Sequence, residues 1–281
     1  FIGGVVFLYI GWEEIARVFS SNGVLTNIIT NGYRFGKEEI EKVRYAGLTN
    51  VCFSVDGLEE NHDRIRNRKG SFKRVLEDFE LCRKENVLFA VVTTLLDNGA
   101  GAWQIQLANS MGNLADSKGL TIAADKMPLL TEFIKRKKDE RKLSIYAADD
   151  IGYYDENEKY LRGDFGRESY WTGCQAGLTV IGIDSIGNVK GCESLYDERF
   201  IEGNVRDEKL VDIWNKKGNF SYNREFSKEQ LGGNCADCAM GDQCRGGCKG
   251  SSYFNKGDIF ENPYCSFNAQ RTARRAAVPV L

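Results

Sequence analysis

The first half of the chain alternates between two spacings of apolar residues. Apolar positions three and four residues apart predict amphipathic helices over 12–22, Lys37–Ala46, Phe72–Glu85 and Met127–Lys138. Short apolar runs predict strands over Val24–Thr30, Asn50–Val55, Val87–Thr94, Ala102–Leu107 and Leu143–Ala147. Strands that alternate with helices form right-handed βαβ units, so the sequence predicts an α/β fold whose parallel sheet curls into a barrel or part of one.

One interval in this pattern is too short for an ordinary crossover. Only eight residues separate Thr94 from Trp103. A parallel connection normally needs a dozen residues or more and usually contains a helix. Two explanations stay open, an unusual connection between the two strands or a segment missing from the chain.

The second half, from about Gly152, has few long periodic segments and is rich in Gly, Asn and Cys. It contains one predicted short helix, near Glu208–Lys217. A region this irregular cannot bury a large core, and bound metal clusters would supply the missing cross-links. We therefore predict a partial barrel over residues 1–151 and a small, irregular, cysteine-rich domain over residues 152–281.

Seven of the nine cysteines follow one spacing pattern. The order is Cys174, twelve residues, Gly187, four residues and Cys192, then Cys235-x-x-Cys238, five residues, Cys244, three residues, Cys248 and, further on, Cys265. The other two differ: Cys52 lies in an apolar run and Cys82 on a helical face, and both are expected to be buried small hydrophobic residues.

Thiolates at this density are soft ligands for iron–sulfur clusters or zinc. Seven exceed one four-coordinate site and suit two clusters, one of them short of a thiolate. Gly246 and Gly247, between Cys244 and Cys248, tolerate positive φ and bring backbone N–H groups near the sulfurs. Zinc is the main alternative. Disulfides are disfavoured by the odd number of cysteines and by the lack of a recognisable signal peptide.

Composition excludes several other functions. The formal net charge is −2, which gives no electrostatic case for nucleic-acid binding, and no apolar stretch approaches membrane-spanning length. The single histidine, His62, leaves little room for histidine-based catalysis or metal binding. We expect a cytoplasmic protein.

The cysteine arrangement resembles the SPASM domain that follows the barrel in many radical S-adenosylmethionine (SAM) enzymes. The first half supports this resemblance independently. Five segments resemble motifs of that barrel in the same order: Gly3-Gly4, Thr30-Asn31-Gly32, Ser54-Val55-Asp56-Gly57, His62-Asp63-Arg64-Ile65-Arg66 and Gly70-Ser71-Phe72. The resemblance covers nearly the whole chain.

The chain departs from the family pattern at its N-terminus. The family's Cys-x-x-x-Cys-x-x-Cys, which holds the catalytic cluster, does not occur in the 281 residues, and a third cluster is expected upstream of Phe1. Gly3-Gly4 is followed by Val5-Val6 rather than by Glu-Pro. A chain that truly lacked the triad would be unable to form the radical.

The resemblance implies a site for S-adenosylmethionine at one edge of the barrel. Its residues would be Gly3, Gly4, Asn31, Ser54, Asp56, Arg66 and Gln104 or Gln106. The two glycines would offer backbone contacts to the methionine amine, and Arg66 would pair with the carboxylate through its guanidinium fork. The alternative for each polar residue is an ordinary turn or cap position.

The resemblance also divides the cysteines between two [4Fe–4S] clusters. Cys235, Cys238, Cys244 and Cys265 would hold the distal cluster. Cys174, Cys192 and Cys248 would hold the cluster nearer the barrel. Some relatives have one more cysteine between the first two positions. Here the fourth iron would be open or would take an oxygen ligand from a residue such as Asp184 or Glu193.

By analogy, the substrate is a peptide or protein. A radical generated from S-adenosylmethionine would abstract a hydrogen atom, leading to a thioether or carbon–carbon cross-link, an epimerised residue or an oxidative decarboxylation. Flavodoxin or ferredoxin would supply electrons, and neither nucleic acid nor membrane would take part. The alternatives are an anaerobic sulfatase-maturating type of enzyme that forms formylglycine, and a non-catalytic iron–sulfur electron carrier or peptide-binding scaffold.

Overall fold

The structure is a computed structural model that describes residues 1, 6–92, 102–111, 121–140, 144–162 and 170–276, without the side chains of 273–276. The chain forms two compact units. Unit 1 contains Phe1–Gln106 and Arg136–Ala148, and unit 2 contains Leu107–Lys135 and Asp149–Leu281. The domain division predicted at residues 151 and 152 stays a prediction.

A five-stranded parallel sheet forms the centre of unit 1, with its strands in sequence order. The strands are β1 (Asn27–Thr30), β2 (Asn50–Ser54), β3 (Phe89–Val92), β4 (Ala102–Ile105) and β5 (Ser144–Ala147). This arrangement confirms the predicted α/β class and the parallel sheet. Because the strands are parallel, their carboxyl ends meet at one edge of the sheet.

Five helices accompany these strands along the chain. They are α1 (Trp12–Ser21), α2 (Lys37–Ala46), α3 (Glu59–Ile65), α4 (Ser71–Lys84) and α5 (Met127–Asp139), with short 3₁₀ helices at Val6–Leu8 and Ala124–Lys126. The bounds of α2 match the prediction, and the helix ends at Gly47, whose φ of 67° suits a glycine cap. The sequence pattern did not predict α3.

The core of unit 1 lies on one face of the sheet. Alternate residues of β2 point to opposite sides, so Val51 and Phe53 are fully buried while Cys52 is only half-buried. Phe53 packs edge-on against Phe79 of α4 and Phe35. Each buried aromatic side chain contributes about 1.5–3 kcal/mol through its burial.

The short interval noted in the sequence lies between β3 and β4. These strands pair directly in parallel, with Val91 opposite Trp103 and Val92 opposite Gln104. The connection, residues 93–101, lies outside the described residues. The predicted strands over Val87–Thr94 and Ala102–Leu107 are therefore neighbours despite their short connection.

Unit 2 contains a small antiparallel sheet of β6 (Gly182–Ile183), β7 (Asn188–Lys190) and β8 (Gly203–Asn204). Its helices are α6 (Glu158–Arg162), α7 (Leu210–Asn215), α8 (Ser221–Arg224), α9 (Gly241–Cys244), α10 (Lys249–Lys256) and α11 (Ser266–Ala276), with 3₁₀ helices at Glu198–Phe200, Lys228–Gln230 and Gly233–Cys235. The helix predicted near Glu208–Lys217 is confirmed as α7, but the expectation of a single helix in this half was wrong.

Apart from α11, the missed helices are too short for a periodic pattern to be read over 11–18 residues. Two of them begin directly after a cysteine, α10 after Cys248 and α11 after Cys265. The basic run 271–275 belongs to α11. Within the described ranges, no helix has both the length and the apolarity needed to cross a bilayer.

Candidate functional site

Four cysteines of unit 2 line one cavity. Cys235, Cys238, Cys244 and Cys265 are all buried, and they surround about 280 Å³ of space that includes the open mouth of the cavity. The remaining wall is mostly apolar and contains Tyr153, Tyr154, Leu231, Met240 and Phe267. These are the four cysteines that the resemblance assigned to the distal cluster.

Two consecutive glycines shape the loop between Cys244 and Cys248. Gly246 and Gly247 have φ values of 81° and 79°, and a side chain on Gly246 would collide with the backbone of Phe260. The backbone N–H of Gly247 donates to the carbonyl oxygen of Cys244 at 3.1 Å. The expectation that these glycines bring N–H groups near the sulfurs stays a prediction.

One backbone N–H group donates to a cysteine sulfur: that of Asn268 lies 3.3 Å from Cys265 Sγ. Burial raises the pKa of the thiols of Cys192, Cys235 and Cys248, and the backbone N–H groups of Ser194, Asn262 and Ser251 partly offset this rise. Such contacts stabilise negative charge on sulfur, as cysteine ligands of iron–sulfur clusters require.

The cavity also contains a buried hydroxyl group that lacks a hydrogen-bond partner among the described residues. It belongs to Tyr153, which is 2% exposed and lies beside Cys265. Burial raises the pKa of the Cys265 thiol to about 12, so this thiol is neutral when no metal is bound. A cluster with anionic sulfurs would accept a hydrogen bond from this hydroxyl, and its iron would replace the thiol proton. The residues present fit a [4Fe–4S] cluster.

A second group of thiols contains Cys174, Cys192 and Cys248. Burial raises the pKa of both Cys192 and Cys248, and the nearby Cys174 raises both further. Cys174 and Cys192 pack with Leu195 and Tyr222 in one apolar cluster. The three cysteines assigned to the nearer cluster thus lie within electrostatic range of one another. Across the described residues, no three His, Cys, Asp or Glu side chains lie close enough to bind one metal ion.

The two predicted oxygen ligands differ in their contacts. Asp184 accepts backbone N–H bonds from Ile186 and Asn188 and closes the turn between β6 and β7. Glu193 has a buried Oε1 with no hydrogen-bond partner in the described part of the chain. Of the two, Glu193 is the one with an unpaired carboxylate oxygen among the described residues.

Sequence reasoning missed three charged residues near the second thiol group. Asp149, at an unusual φ of 48°, acts electrostatically on Cys192 and Cys248. Asp150 is buried and accepts a hydrogen bond from the backbone N–H of Cys248. Lys249 is fully buried and donates to the carbonyl oxygen of Arg245 at 2.7 Å. Nothing in the cysteine spacing indicated these residues, although Asp149 and Asp150 come shortly after the end of β5.

In unit 1, two predicted cofactor residues share one face of the sheet. Ser54 lies opposite Val92, and Val92 lies opposite Gln104, so the side chains of Ser54 and Gln104 point to the same side. Ser54 is the last residue of β2, and Gln104 lies near the end of β4. Both are near the edge where the strand carboxyl ends meet.

Asp56 and Arg66 form an ion pair just beyond this edge. Arg66 Nε lies 2.5 Å from Asp56 Oδ2, and both side chains are about one quarter exposed, at 29% and 24%. The ion pair uses the Nε side of the guanidinium. The two terminal nitrogens of the same group still have the geometry for a bidentate pair with a second carboxylate.

His62 stabilises the loop that contains Asp56 through hydrogen bonds of its ring. Its Nδ1 accepts the backbone N–H of Asp56 at 3.0 Å, and its Nε2 lies 3.2 Å from Ser71 Oγ. Burial lowers the pKa of His62, so the ring is neutral at pH 7. With both nitrogens engaged and the ring fully buried, His62 has a structural role.

Asn31 makes the contact expected of a turn residue. Its Oδ1 accepts the backbone N–H of Tyr33 at 3.0 Å, and Gly32 follows with a φ of 77°. This arrangement is an Asx turn. Gly3 and Gly4, predicted to contact the methionine amine, lie outside the described residues.

Comparisons with known proteins match both halves of the chain. Residues 1–100 match the family model of the radical SAM superfamily, and residues 174–239 match that of SPASM, an iron–sulfur cluster-binding domain. The AdoMet-dependent heme synthase of Methanosarcina barkeri is 28% identical over 278 residues, which are 90% of this chain and 78% of the relative. The mycofactocin maturase MftC of Mycobacterium ulcerans is 28% identical over 260 residues, 86% of this chain and 67% of the relative.

Solved structures show the same fold. Streptococcus suis SuiB, crystallised with its precursor peptide SuiA, has a TM-score of 0.69 at 15% identity, over 94% of this chain and 63% of SuiB. Residues 1–100 therefore form a radical SAM domain and residues 174–239 a SPASM domain, and these two domains imply [4Fe–4S] clusters and S-adenosylmethionine as cofactors.

Proposed function

We propose that this enzyme modifies a peptide or protein by removing a hydrogen atom from it. The observation that carries the proposal is the cavity lined by Cys235, Cys238, Cys244 and Cys265, in a chain related to peptide maturases. The modification would be a thioether or carbon–carbon cross-link, an epimerisation or an oxidative decarboxylation. Flavodoxin or ferredoxin would act as the electron donor.

The four cavity cysteines would hold one auxiliary cluster. Cys174, Cys192 and Cys248 would hold three irons of the second cluster. Its fourth iron would be open to substrate or bound by Glu193, whose Oε1 is buried and unpaired among the described residues. Backbone N–H groups near the sulfurs, such as that of Asn268 beside Cys265, would help to keep the clusters in place and would tune their reduction potentials.

The edge of the sheet in unit 1 would bind S-adenosylmethionine. Together with a reduced cluster, this cofactor supplies the one-electron chemistry that breaks an unactivated C–H bond. Arg66 would bind the carboxylate, with its guanidinium held in position by Asp56. Ser54 and Gln104 would contact the cofactor from the face of the sheet that they share. Asn31, Gly3 and Gly4 would contribute polar and backbone contacts. The catalytic cluster requires a cysteine triad that residues 1–281 do not contain.

A second candidate is a reaction on a heme precursor. The M. barkeri heme synthase is as similar as the maturase, at 28% identity, and aligns with a larger share of this chain, 90% against 86%. The two candidates share the cofactors and differ in the substrate. Substrate specificity is set by the residues around the reacting group rather than by the fold.

The test uses the full-length protein, reconstituted with iron and sulfide and reduced without oxygen. We expect 5′-deoxyadenosine to form from S-adenosylmethionine, and a peptide encoded beside the gene to change in mass. Deoxyadenosine formation that depends on a heme precursor, with no peptide modified, would favour the second candidate. Iron-loaded protein that forms no deoxyadenosine would leave the electron-carrier alternative.

Arg66→Ala provides the matching variant. Loss of a bidentate, charge-assisted pair should weaken the binding of S-adenosylmethionine by roughly 2–3 kcal/mol. Arg44→Ala is a suitable control, since Arg44 also forms an ion pair, with Glu85, but lies on α2 away from the strand ends. Equal binding by both variants would remove Arg66 from the cofactor site.

A further inference from the structure

A second cavity lies in unit 1, between the loop after β1 and the segment that joins α3 to α4. It encloses about 1020 Å³, open solvent included. Five of its lining side chains are cationic: Arg34, Arg66, Arg68, Lys69 and Arg74. None of the lining side chains that the structure describes is acidic. The chain as a whole has a net charge of −2, so this concentration of positive charge is local.

Two of these cations have acidic partners outside the cavity wall. Arg66 pairs with Asp56, and Arg74 Nε lies 3.3 Å from Asp78 Oδ1. Arg34, Arg68 and Lys69 have no carboxylate within 4.0 Å in the described part of the chain, and all three are exposed. Three positive charges therefore remain available to a ligand.

The wall of the cavity has a defined geometry. Gly32 has a φ of 77°, and a Cβ there would lie 2.7 Å from Asp78 Oδ2, so α4 packs directly beneath the loop. Arg34 has a φ of 63°, a left-handed conformation that costs a non-glycine residue about 1–2 kcal/mol. The guanidinium of Arg68 lies 5.1 Å from the ring centre of Tyr33. The two loops thus place the cationic side chains around one space.

S-adenosylmethionine does not account for this charge. The cofactor carries one carboxylate, for which Arg66 suffices, together with a positive sulfonium and a positive amine. Further cations would repel its two positive groups. The charge of the cavity instead suits a ligand with several carboxylates.

We propose that this cavity binds an acidic segment of the peptide substrate. The inference rests on the proposed function, because it takes the substrate to be a peptide. The cations come from two separate loops, Arg34 from one and Arg68 and Lys69 from the other. Carboxylates spread along an extended peptide can reach both loops, whereas a single compact anion would leave some of the cations unpaired.

The test measures binding to the full-length, iron-loaded protein by fluorescence anisotropy. The probes are a fluorescein-labelled peptide of alternating Glu and Gly and the same peptide with Gln in place of Glu. The pocket variant is Arg68→Glu with Lys69→Glu. The control is Lys73→Glu with Lys84→Glu, which makes the same charge change at exposed positions of α4 that do not line the cavity.

We expect the Glu peptide to bind the wild type and the control alike, and to bind the pocket variant about tenfold more weakly or worse. The Gln peptide should bind weakly to all three. Equal losses in the pocket variant and the control would overturn the proposal, since binding would then follow overall charge. The proposal would also fail if the Glu and Gln peptides bound equally well.

Heme, which carries two propionate carboxylates, serves as a further competitor. Binding of heme that depends on Arg68 and Lys69, without binding of the Glu peptide, would assign the cavity to a small carboxylate ligand and overturn the peptide proposal. The maturase activity is tested separately, by the rate at which the pocket variant modifies its natural peptide. If the pocket variant still modifies its natural peptide at the wild-type rate, the cavity proposal fails and the maturase activity stands.

Discussion

The carboxylate of Asp150 accepts a hydrogen bond from the backbone N–H of Cys248, with 2.8 Å between Oδ2 and N. The same oxygen accepts the side-chain amide of Asn262, whose own Oδ1 accepts the backbone N–H of Tyr264. Asp150 is 1% exposed. One buried carboxylate oxygen therefore connects the loop of Cys248 to the segment that leads into Cys265, so that both thiol groups depend on it.

Asp150→Ala should reduce the iron content of unit 2. The substitution leaves the Cys248 N–H and the Asn262 amide without their acceptor, at a cost of about 1–3 kcal/mol for each buried group. Iron and sulfide per chain and the thermal unfolding of the loaded protein measure the effect. Asp207→Ala, at an exposed position of the same unit, is the control. Wild-type iron content in the Asp150 variant would show that the network does not position the cysteines.

The cysteine assignments can be tested by single substitutions. Protein purified without oxygen should contain about eight irons for the two SPASM clusters and about twelve with an upstream catalytic cluster. Cys235→Ala or Cys244→Ala should lose about four irons and make unit 2 sensitive to proteolysis, because cluster binding is coupled to folding. Cys52→Ala should keep its iron, since the thiol of Cys52 donates a hydrogen bond to Asn50 and lies in unit 1, apart from the seven spaced cysteines. Zinc with little sulfide in the wild type would contradict the assignment as a whole.

Asp78 should make the stability of unit 1 depend on pH. This side chain of α4 is 2% exposed, and burial raises its pKa from 3.8 to about 7, although Arg74 opposes the shift. The folded state therefore holds a proton that the unfolded chain has released. The corresponding stability is fully present below about pH 4 and is lost as the pH rises through about 7.

Asp78→Asn should flatten this dependence and raise stability at pH 8 by roughly 1–4 kcal/mol. Denaturant unfolding at intervals from pH 5 to pH 8 would show it. Glu77→Gln, one position earlier and exposed, provides the control. Parallel stability profiles for the wild type and the Asp78 variant would exclude a raised pKa at this position.

Lys249 should raise the reduction potential of the clusters. Its buried ammonium lies 4.1 Å from the ring centre of Phe260, and no carboxylate within the described ranges lies within 4.0 Å of it. A buried positive charge beside anionic clusters favours the addition of an electron. Lys249→Met should shift the potential to more negative values in a titration followed by electron paramagnetic resonance. Lys217→Met, at an exposed position, should leave the potential unchanged. An unaltered potential in iron-loaded Lys249→Met would refute this role.

Local periodicity was enough to predict the parallel strands and most helices of the first half. It did not predict the burial of every individual residue. Cys82 is fully buried as expected, but Cys52 is only half-buried, because it alternates with Val51 and Phe53 and lies on the opposite face of β2. An apolar run does not show which of its residues face the core.

The spacing of the cysteines determined, without any structure, that this chain contains an iron–sulfur domain of the SPASM type. Spacing is a local property of the chain, and ligand chemistry depends on residue type, so both can be read from the sequence. The roles assigned to individual cysteines and to the cofactor residues stay predictions.

Tertiary structure alone decided which groups surround the cysteines. Asp150 reaches Cys248 from 98 residues away in the chain, and Asn262 reaches Asp150 across 112 residues. The cations of the second cavity likewise come from separate loops, Arg34 from one and Arg68 and Lys69 from the other. Burial, hydrogen bonding and electrostatic contact depend on segments that meet only after folding, and no pattern confined to neighbouring residues records them.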